Sequence, residues 1–233
     1  RLPLCKKQRR VLLNLSVIVP VLDDDQRLKT LLQVLAGRVS EIIVVDGGKS
    51  EFVEEQCSLY GAKYLRQAAS RGAQIAKGIE ESKKPLLWVL HVDAYGLDEP
   101  LSRLKELAGS SEIIWGRFDV IMPELRWVPR MMNLRSRFTK ICTGDQGMFF
   151  SASALNRVGG VPSQPLMEDV ECSRRLKRCN GARYVACRER LGTSDRRWLS
   201  YGIGKTILKM WWYRVLYYLG ESPDKLHLAY YQK

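Results

Sequence analysis

Asp46 closes the apolar run Glu41 to Asp46 (EIIVVD) and is followed at once by Gly47 and Gly48. Two glycines let the backbone turn close to a ligand, although an Asp capping an ordinary strand-to-helix turn has the same signature. His91-Val92-Asp93 ends a second apolar run, Leu86 to Val92. Alternation along a strand puts His91 and Asp93 on one side, where imidazole and carboxylate are donors for a divalent cation. A core His beside a capping Asp is the plainer reading of that triplet. Thr143 to Gly147 (TGDQG) sets Asp145 and Gln146 between glycines just before Met148, Phe149 and Phe150, an arrangement that admits a ligand close to polar groups. Pro165 to Glu171 (PLMEDVE) places Glu168, Asp169 and Glu171 at the mouth of a helix whose later turns carry Arg174, Arg175, Lys177 and Arg178. Acids first and bases last is what the helix dipole favours. A carboxylate at that place is also how a general base would be presented.

The elements that must hold these groups alternate between strand and helix. Leu15 to Val19 reads as a strand buried on both faces and ended by Pro20. Asp24 and its neighbours then lead into a helix, with Leu28, Leu31, Leu32 and Leu35 at helical spacing. Glu41 to Asp46, Ala62 to Leu65 and Leu86 to Val92 are further strands, with helices over 52–60 and 70–82 between them. Such alternation predicts right-handed crossovers and a mostly parallel sheet covered on both faces, so the fold class is α/β. Ligands of such sheets bind beyond the carboxyl ends of the strands, where Asp24, Asp46 and Asp93 stand. After about residue 110 the pattern weakens. Strands are expected within 112–122 and 146–150, helices over 167–179 and 203–219, and a short last helix after Ser222-Pro223.

The 233 residues carry a net charge of +13, concentrated at the ends. Residues 1–10 hold five bases and no acid, and residues 171–233 hold fourteen bases and five acids, while the intervening stretch has nineteen bases and twenty acids. A near-neutral middle with basic edges argues against a compact nucleic-acid module. The six cysteines form no CxxC pair and there are only two histidines, so reduced thiols and no zinc site are expected. Residues 1–14 read as a basic arm without an apolar run suited to export.

Taken in order, SVIVPVLDD (16–24), EIIVVDGG (41–48), SRGAQIAKG (70–78), LHVD (90–93), GDQGMF (144–149) and PLMEDVECSRR (165–175) resemble the family 2 glycosyltransferases. The closest likeness is to the radical-SAM/selenodomain-associated subgroup. This resemblance implies a GT-A fold: an αβα nucleotide-binding half over about 15–110 and an acceptor half over about 111–200, followed by C-terminal helices over 201–233. It also implies a hexosyltransferase-type enzyme taking a sugar from a nucleotide-diphosphate donor to a hydroxyl acceptor, with inversion. Pro20, Asp24, Asp46 and Gly47 would border the nucleotide, Arg71 and Gln74 the diphosphate and sugar. Asp93 would bind Mg²⁺ or Mn²⁺, with His91 standing where many relatives have an acid. Asp169 matches the catalytic base, with Glu168 beside it. Asp145 and Gln146 would line the sugar or acceptor pocket, and Arg197-Trp198 resembles the tail of the QxxRW motif, whose Gln position holds Ser194.

Ile203 to Leu219 (IGKTILKMWWYRVLYYL) is interrupted by Lys205, Lys209 and Arg214, too often for a membrane span. Its aromatics and bases suit either a membrane interface or a helix packed on the catalytic domain. Arg126, Arg130, Arg135, Arg137 and Lys140 form a run without an acid, read as a solvated face or as a surface for an anionic acceptor or membrane. The expected setting is cytoplasmic, with peripheral contact at the inner membrane face, a lipid acceptor and no nucleic-acid partner. The competing readings are a sugar nucleotidyltransferase, whose glycine-rich basic loop is missing after the first strand, and a non-enzymatic module for anionic surfaces.

Overall fold

The computed structural model of the chain describes residues 12–22 and 24–231, so most of the basic arm expected over 1–14 lies outside the described residues. The first half builds the expected alternation: β1 (Leu13–Val21), α1 (Asp25–Leu35), β2 (Val39–Asp46), α2 (Glu51–Tyr60), β3 (Lys63–Arg66), α3 (Arg71–Glu80) and β4 (Leu86–Val89). The second half continues with α4 (Asp98–Ala108), β5 (Ile114–Ile121), α5 (Trp127–Thr139), a 3₁₀ turn (Gly144–Gln146), β6 (Phe149–Ser151), α6 (Ala152–Arg157), α7 (Glu168–Arg178) and β7 (Arg183–Gly192). Three helices end it: α8 (Arg196–Tyr201), α9 (Ile203–Tyr218) and α10 (Pro223–Tyr231).

All seven strands share one sheet in the order β3-β2-β1-β4-β6-β5-β7. β6 runs antiparallel to both neighbours and every other pair is parallel. The sequence of β1 explains its central place. Alternate side chains Leu15, Val17, Val19 and Val21 enter one core with Leu28, Leu32 and Leu35 of α1, while Ile18 enters the opposite core with Ile75 of α3 and Leu176 of α7. A strand apolar on both faces can sit only between two helical layers.

Pro20 does not end β1. It stays in register with Val45 of β2. Ile18, two residues back and facing the same edge, accepts a bond from the Leu90 amide as β4 finishes, so the missing Pro20 N–H faces an edge with no ladder left to make. Likewise β4 stops at Val89, which places His91 and Asp93 in the turn that follows rather than on the strand. The strand expected over 146–150 is shorter, because Gln146 closes the 3₁₀ turn through a reciprocal cap with Thr143. β7 is an edge strand. Its buried Val185, Cys187 and Leu191 alternate with Tyr184, Ala186, Arg188 and Arg190, and both of these arginines are exposed. A third, smaller core of Val120, Met122, Val128, Met132 and Trp198 receives Ile203, Ile207 and Met210, which docks α9 against α5.

Candidate active site

Beyond the carboxyl ends of β1 and β4 lies a cavity of about 500 Å³. Pro20 and Asp24 line it from the first strand, Arg71 and Gln74 from α3, and His91 and Asp93 from the turn after β4. Met210 and His227 reach it from the C-terminal helices. A smaller cavity of about 80 Å³, lined by Glu168 and Asp169, adjoins it, and Arg71, Asp145, Pro165 and Met210 line both. The carboxylates of Asp93 and Asp169 thus open on adjoining spaces divided by Arg71 and Asp145.

Asp93 accepts one long bond, 3.3 Å from the Ser194 amide. His91 is wedged between charges, its Nδ1 3.4 Å from an Asp145 oxygen and its Nε2 3.4 Å from the Arg71 guanidinium. Burial, reinforced by the Arg71 charge, holds His91 below the ordinary imidazole range, and Asp145, Asp93 and Asp169 only partly oppose this. In the neutral ring, Nδ1–H faces the Asp145 carboxylate and the Nε2 lone pair faces the Arg71 N–H. Among the described residues no group of three or more His, Cys, Asp or Glu is placed to cage a metal. One carboxylate lining a cavity that a diphosphate could enter is nevertheless the donor set Mg²⁺ or Mn²⁺ accepts when substrate oxygens and water complete the shell. The residues fit a metal that arrives with a diphosphate.

Around Asp169 the geometry is tighter. One carboxylate oxygen accepts the Gly144 amide at 2.9 Å, with an Arg71 nitrogen at 3.5 Å, and the other accepts the Val170 amide at 2.7 Å. Glu168, 2% exposed, accepts a hydrogen bond from Arg71 on one oxygen, while its other oxygen is buried without a partner. Burial pushes the Glu168 carboxyl up, Arg71 pulls against it, and the Asp169 charge adds to the rise. Two close approaches fix this arrangement. A Cβ on Gly72 would fall 2.2 Å from the Gln164 carbonyl, so the start of α3 packs on the 162–164 segment and delivers Arg71. A Cβ on Gly144 would fall 2.5 Å from His91 Nε2. Met167, which caps α7, has φ 63°, a left-handed conformation costly for a side chain of its size, immediately before the two acids.

Some sequence candidates stand elsewhere. Asp46 is buried, its oxygens accepting from the Gly48 amide at 2.7 Å and the Tyr64 hydroxyl at 3.1 Å. Asp46 and Gly47 do not line the cavity, and Asp46 acts as the turn-capping residue the sequence also allowed. Gln146 is fully buried and bonds Ser136 at 3.0 Å, away from both cavities. Gln74 reaches the cavity but uses its amide to tie the Val21 and Val45 carbonyls together at 2.9 and 2.8 Å. Trp198 lines the cavity, whereas the side chain of Arg197 lies outside what is described. Its neighbour Arg196 lines the cavity instead, 3.7 Å from Asp24, which also pairs with Arg27 at 3.2 Å. The sequence reading missed Arg27, Arg196 and Ser194. It also gave Met210 and His227 no part in the site, because nothing local signals which face of a distant helix closes a cavity.

The profile of glycosyl transferase family 2 matches residues 16–157. The chain belongs to that family. Its sheet and helices are those of the GT-A glycosyltransferases. A mannosyltransferase from Pyrobaculum calidifontis, solved with GDP-Man and Mn²⁺, superposes with a TM-score of 0.61 at 14% identity, over 79% of this chain and 57% of its own. TarS 1–349 from S. aureus gives 0.62 at 17% identity, over 78% and 60%. Glucosyl-3-phosphoglycerate synthase from Mycobacterium tuberculosis, solved with Mn²⁺, UDP and glucosyl-3-phosphoglycerate, gives 0.53 at 16%, over 77% and 70%. This family 2 chain therefore covers less than two thirds of the first and second of these structures. No curated protein matches it.

Proposed function

We propose that this family 2 member is a metal-dependent, inverting glycosyltransferase of hexosyl type, nearest to the radical-SAM/selenodomain-associated subgroup, that moves a sugar from a nucleotide-diphosphate donor to a hydroxyl. The observation that carries the reading is the adjacency of Asp93 and Asp169, whose cavities share Arg71 and Asp145. In this reading the larger cavity takes the donor, with the nucleoside against Pro20 and Asp24. The Asp24 carboxylate is itself positioned by Arg27 and Arg196. A divalent cation held by Asp93 would supply Lewis-acid neutralisation of the leaving diphosphate. Arg71 places a fixed positive charge between the two cavities, where the departing group gains negative charge.

Asp169 receives the proton of the acceptor hydroxyl. The amides of Gly144 and Val170 fix its orientation, and the oxygen that accepts from Val170 keeps a second lone pair for the incoming O–H, while the other faces Gly144 and Arg71. A base so placed accelerates transfer by about 10² to 10⁴-fold. Glu168 does not share this role: its unpartnered oxygen is buried and its other oxygen anchors Arg71.

Two exposed rows support peripheral contact with a lipid surface and a lipid-borne acceptor. α5 presents Trp127, Met131, Leu134 and Phe138 at helical spacing, and α9 presents Leu208, Trp211 and Trp212, with Leu219 just after it. No described helix is long and apolar enough to cross a membrane. The test is a thermal-shift and hydrolysis screen of nucleotide sugars with Mn²⁺, then with chelator. Stabilisation and slow release of sugar to water are expected for one donor, both abolished by chelation. A full panel without either response refutes the transferase reading.

A further inference from the structure

The arginines and lysines of α5 and α7 meet α9 around a further cavity of about 640 Å³, distinct from the two that hold Asp93 and Asp169. Five bases line it, Arg135, Arg174, Lys177, Arg178 and Arg214, and no acid does. Two of them have protein partners: Arg174 lies 3.3 Å from Glu171, and Lys177 donates to the Thr139 carbonyl at 3.2 Å. The others do not: Arg178 and Arg214 have no ion pair among the described residues. Nε and Nη2 of Arg135 are buried without any hydrogen-bond partner. Buried donors left unpaired are costly and rare in a native structure. They point at a missing acceptor atom.

We propose that this cavity binds the phosphate group of an amphiphilic acceptor. The chemistry selects the class. Several converging guanidinium and ammonium groups match the charge and the multiple oxygens of a phosphate better than a single carboxylate. The rim is apolar, made by Trp211, Val215 and Tyr218, which are 64%, 46% and 53% exposed, and Leu208 and Trp212 of the same helix, with Leu219 just after it, extend the apolar surface beyond it. A charged head can enter while a hydrocarbon chain lies along α9. Arg214 lines both this cavity and the small one that holds Asp169, so a head bound here would leave the rest of the acceptor next to the base. Burial first, and then the Arg214 charge, press Arg135 down to about 10; a bound anion would offset the desolvation and the repulsion alike. The assignment of the ligand as acceptor rests on the transferase reading above. The site itself does not.

The probes are decyl phosphate below its micellar range, orthophosphate and decanol, titrated calorimetrically into the full chain. Decyl phosphate is expected to bind more tightly than orthophosphate, and decanol not at all. Arg178→Gln with Lys177→Gln should weaken decyl phosphate at least tenfold, as loss of charge-assisted bonds in a partly desolvated site implies. Arg135→Gln should weaken it further. Because Arg135 is partly buried, the exposed pair carries the test if that variant folds poorly. Unchanged affinity in the Arg178/Lys177 variant overturns the site. Equal affinity for orthophosphate and decyl phosphate overturns the amphiphile, and tighter binding of a single-stranded oligonucleotide than of decyl phosphate overturns the acceptor class. Mn²⁺-dependent nucleotide binding, measured in parallel, should be the same in wild type and in the Arg178/Lys177 variant. Its absence from both, with decyl phosphate still lost in the variant, would sink the transferase reading and leave the phosphate site standing.

Discussion

Arg71→Met separates what Arg71 does for folding from what it does for chemistry. Glu168 is 2% exposed and its only hydrogen-bonded oxygen is held by Arg71, so the variant strands a carboxylate in the interior. An uncompensated buried charge costs about 3–5 kcal/mol. The carboxyl escapes part of that by taking up a proton. From an ordinary value of about 4.3, protonation at about pH 7 costs about 3.7 kcal/mol, which caps the penalty. Asp169 softens the loss little, since the Gly144 and Val170 amides still serve it. The expected destabilisation is therefore at most about 3.7 kcal/mol, a fall in Tm of up to about 10 °C for a chain of this size. The sign of the pH dependence follows from the charged form being the one destabilised. The penalty is full well above the unfolded carboxyl pKa and fades as pH falls toward it, to a ceiling of about 1.6 kcal/mol at about pH 5.5. Urea unfolding of wild type, Arg71→Met and Arg71→Met/Glu168→Gln at both pH values is the assay. The double variant should regain most of the stability without regaining transfer. A loss below about 1 kcal/mol at neutral pH, or an equal loss at both pH values, refutes the coupling.

Gly144→Ala should displace His91 and lengthen the amide bond to Asp169, since the added methyl would lie 2.5 Å from the ring. Transfer is expected to fall by more than tenfold with little change in donor affinity, read as a split between kcat and donor KM. Asp46→Ala removes the partner of the Gly48 amide and the Tyr64 hydroxyl, so it should cost about 1–3 kcal/mol of stability by urea unfolding. The donor KM of the folded variant should stay close to wild type, whereas Asp24→Ala, at the cavity wall, should raise it. Replacing Trp211, Trp212 and Phe138, which are 64%, 61% and 79% exposed, by Ser should abolish sedimentation with vesicles of anionic lipid while leaving Tm within a few degrees. Undiminished sedimentation would remove the aromatic rows from any role at a membrane.

The parallel half of the sheet is legible because its strands are apolar on both faces and its helices carry Leu at regular spacing, as in β1 and α1. β7 is not. An edge strand with Arg183, Arg188 and Arg190 turned to water looks polar to any window of its sequence. Pro20 was read as a stop because a single chain does not say which edge of a strand has lost its neighbour. In the site, the types and order of Asp93, Asp145, Glu168 and Asp169 announce carboxylate chemistry, and the fold brings them around Arg71. Asp46 and Gln146 carry the same local signal but turn inward, one to cap a turn and the other to close the Thr143 box. The basic run on α5 divides in the same way. Arg137 reaches back to Asp119 at 2.6 Å and to the Ala186 carbonyl, while Arg135 enters the cavity against α9. These distinctions depend on what packs from α7 and α9, which no spacing within 126–140 contains.

The central claim is that Asp93 holds the donor through a cation and that Asp169 acts only on the acceptor. Calorimetric titration of the donor with Mn²⁺ into wild type, Asp93→Ala and Asp169→Asn, followed by single-turnover transfer in the same samples, tests it directly. Asp93→Ala should lose the Mn²⁺-dependent part of donor binding. Asp169→Asn should bind donor as wild type does and transfer about 10² to 10⁴-fold more slowly. Donor binding lost equally in both variants, or transfer at the wild-type rate in Asp169→Asn, would contradict the account.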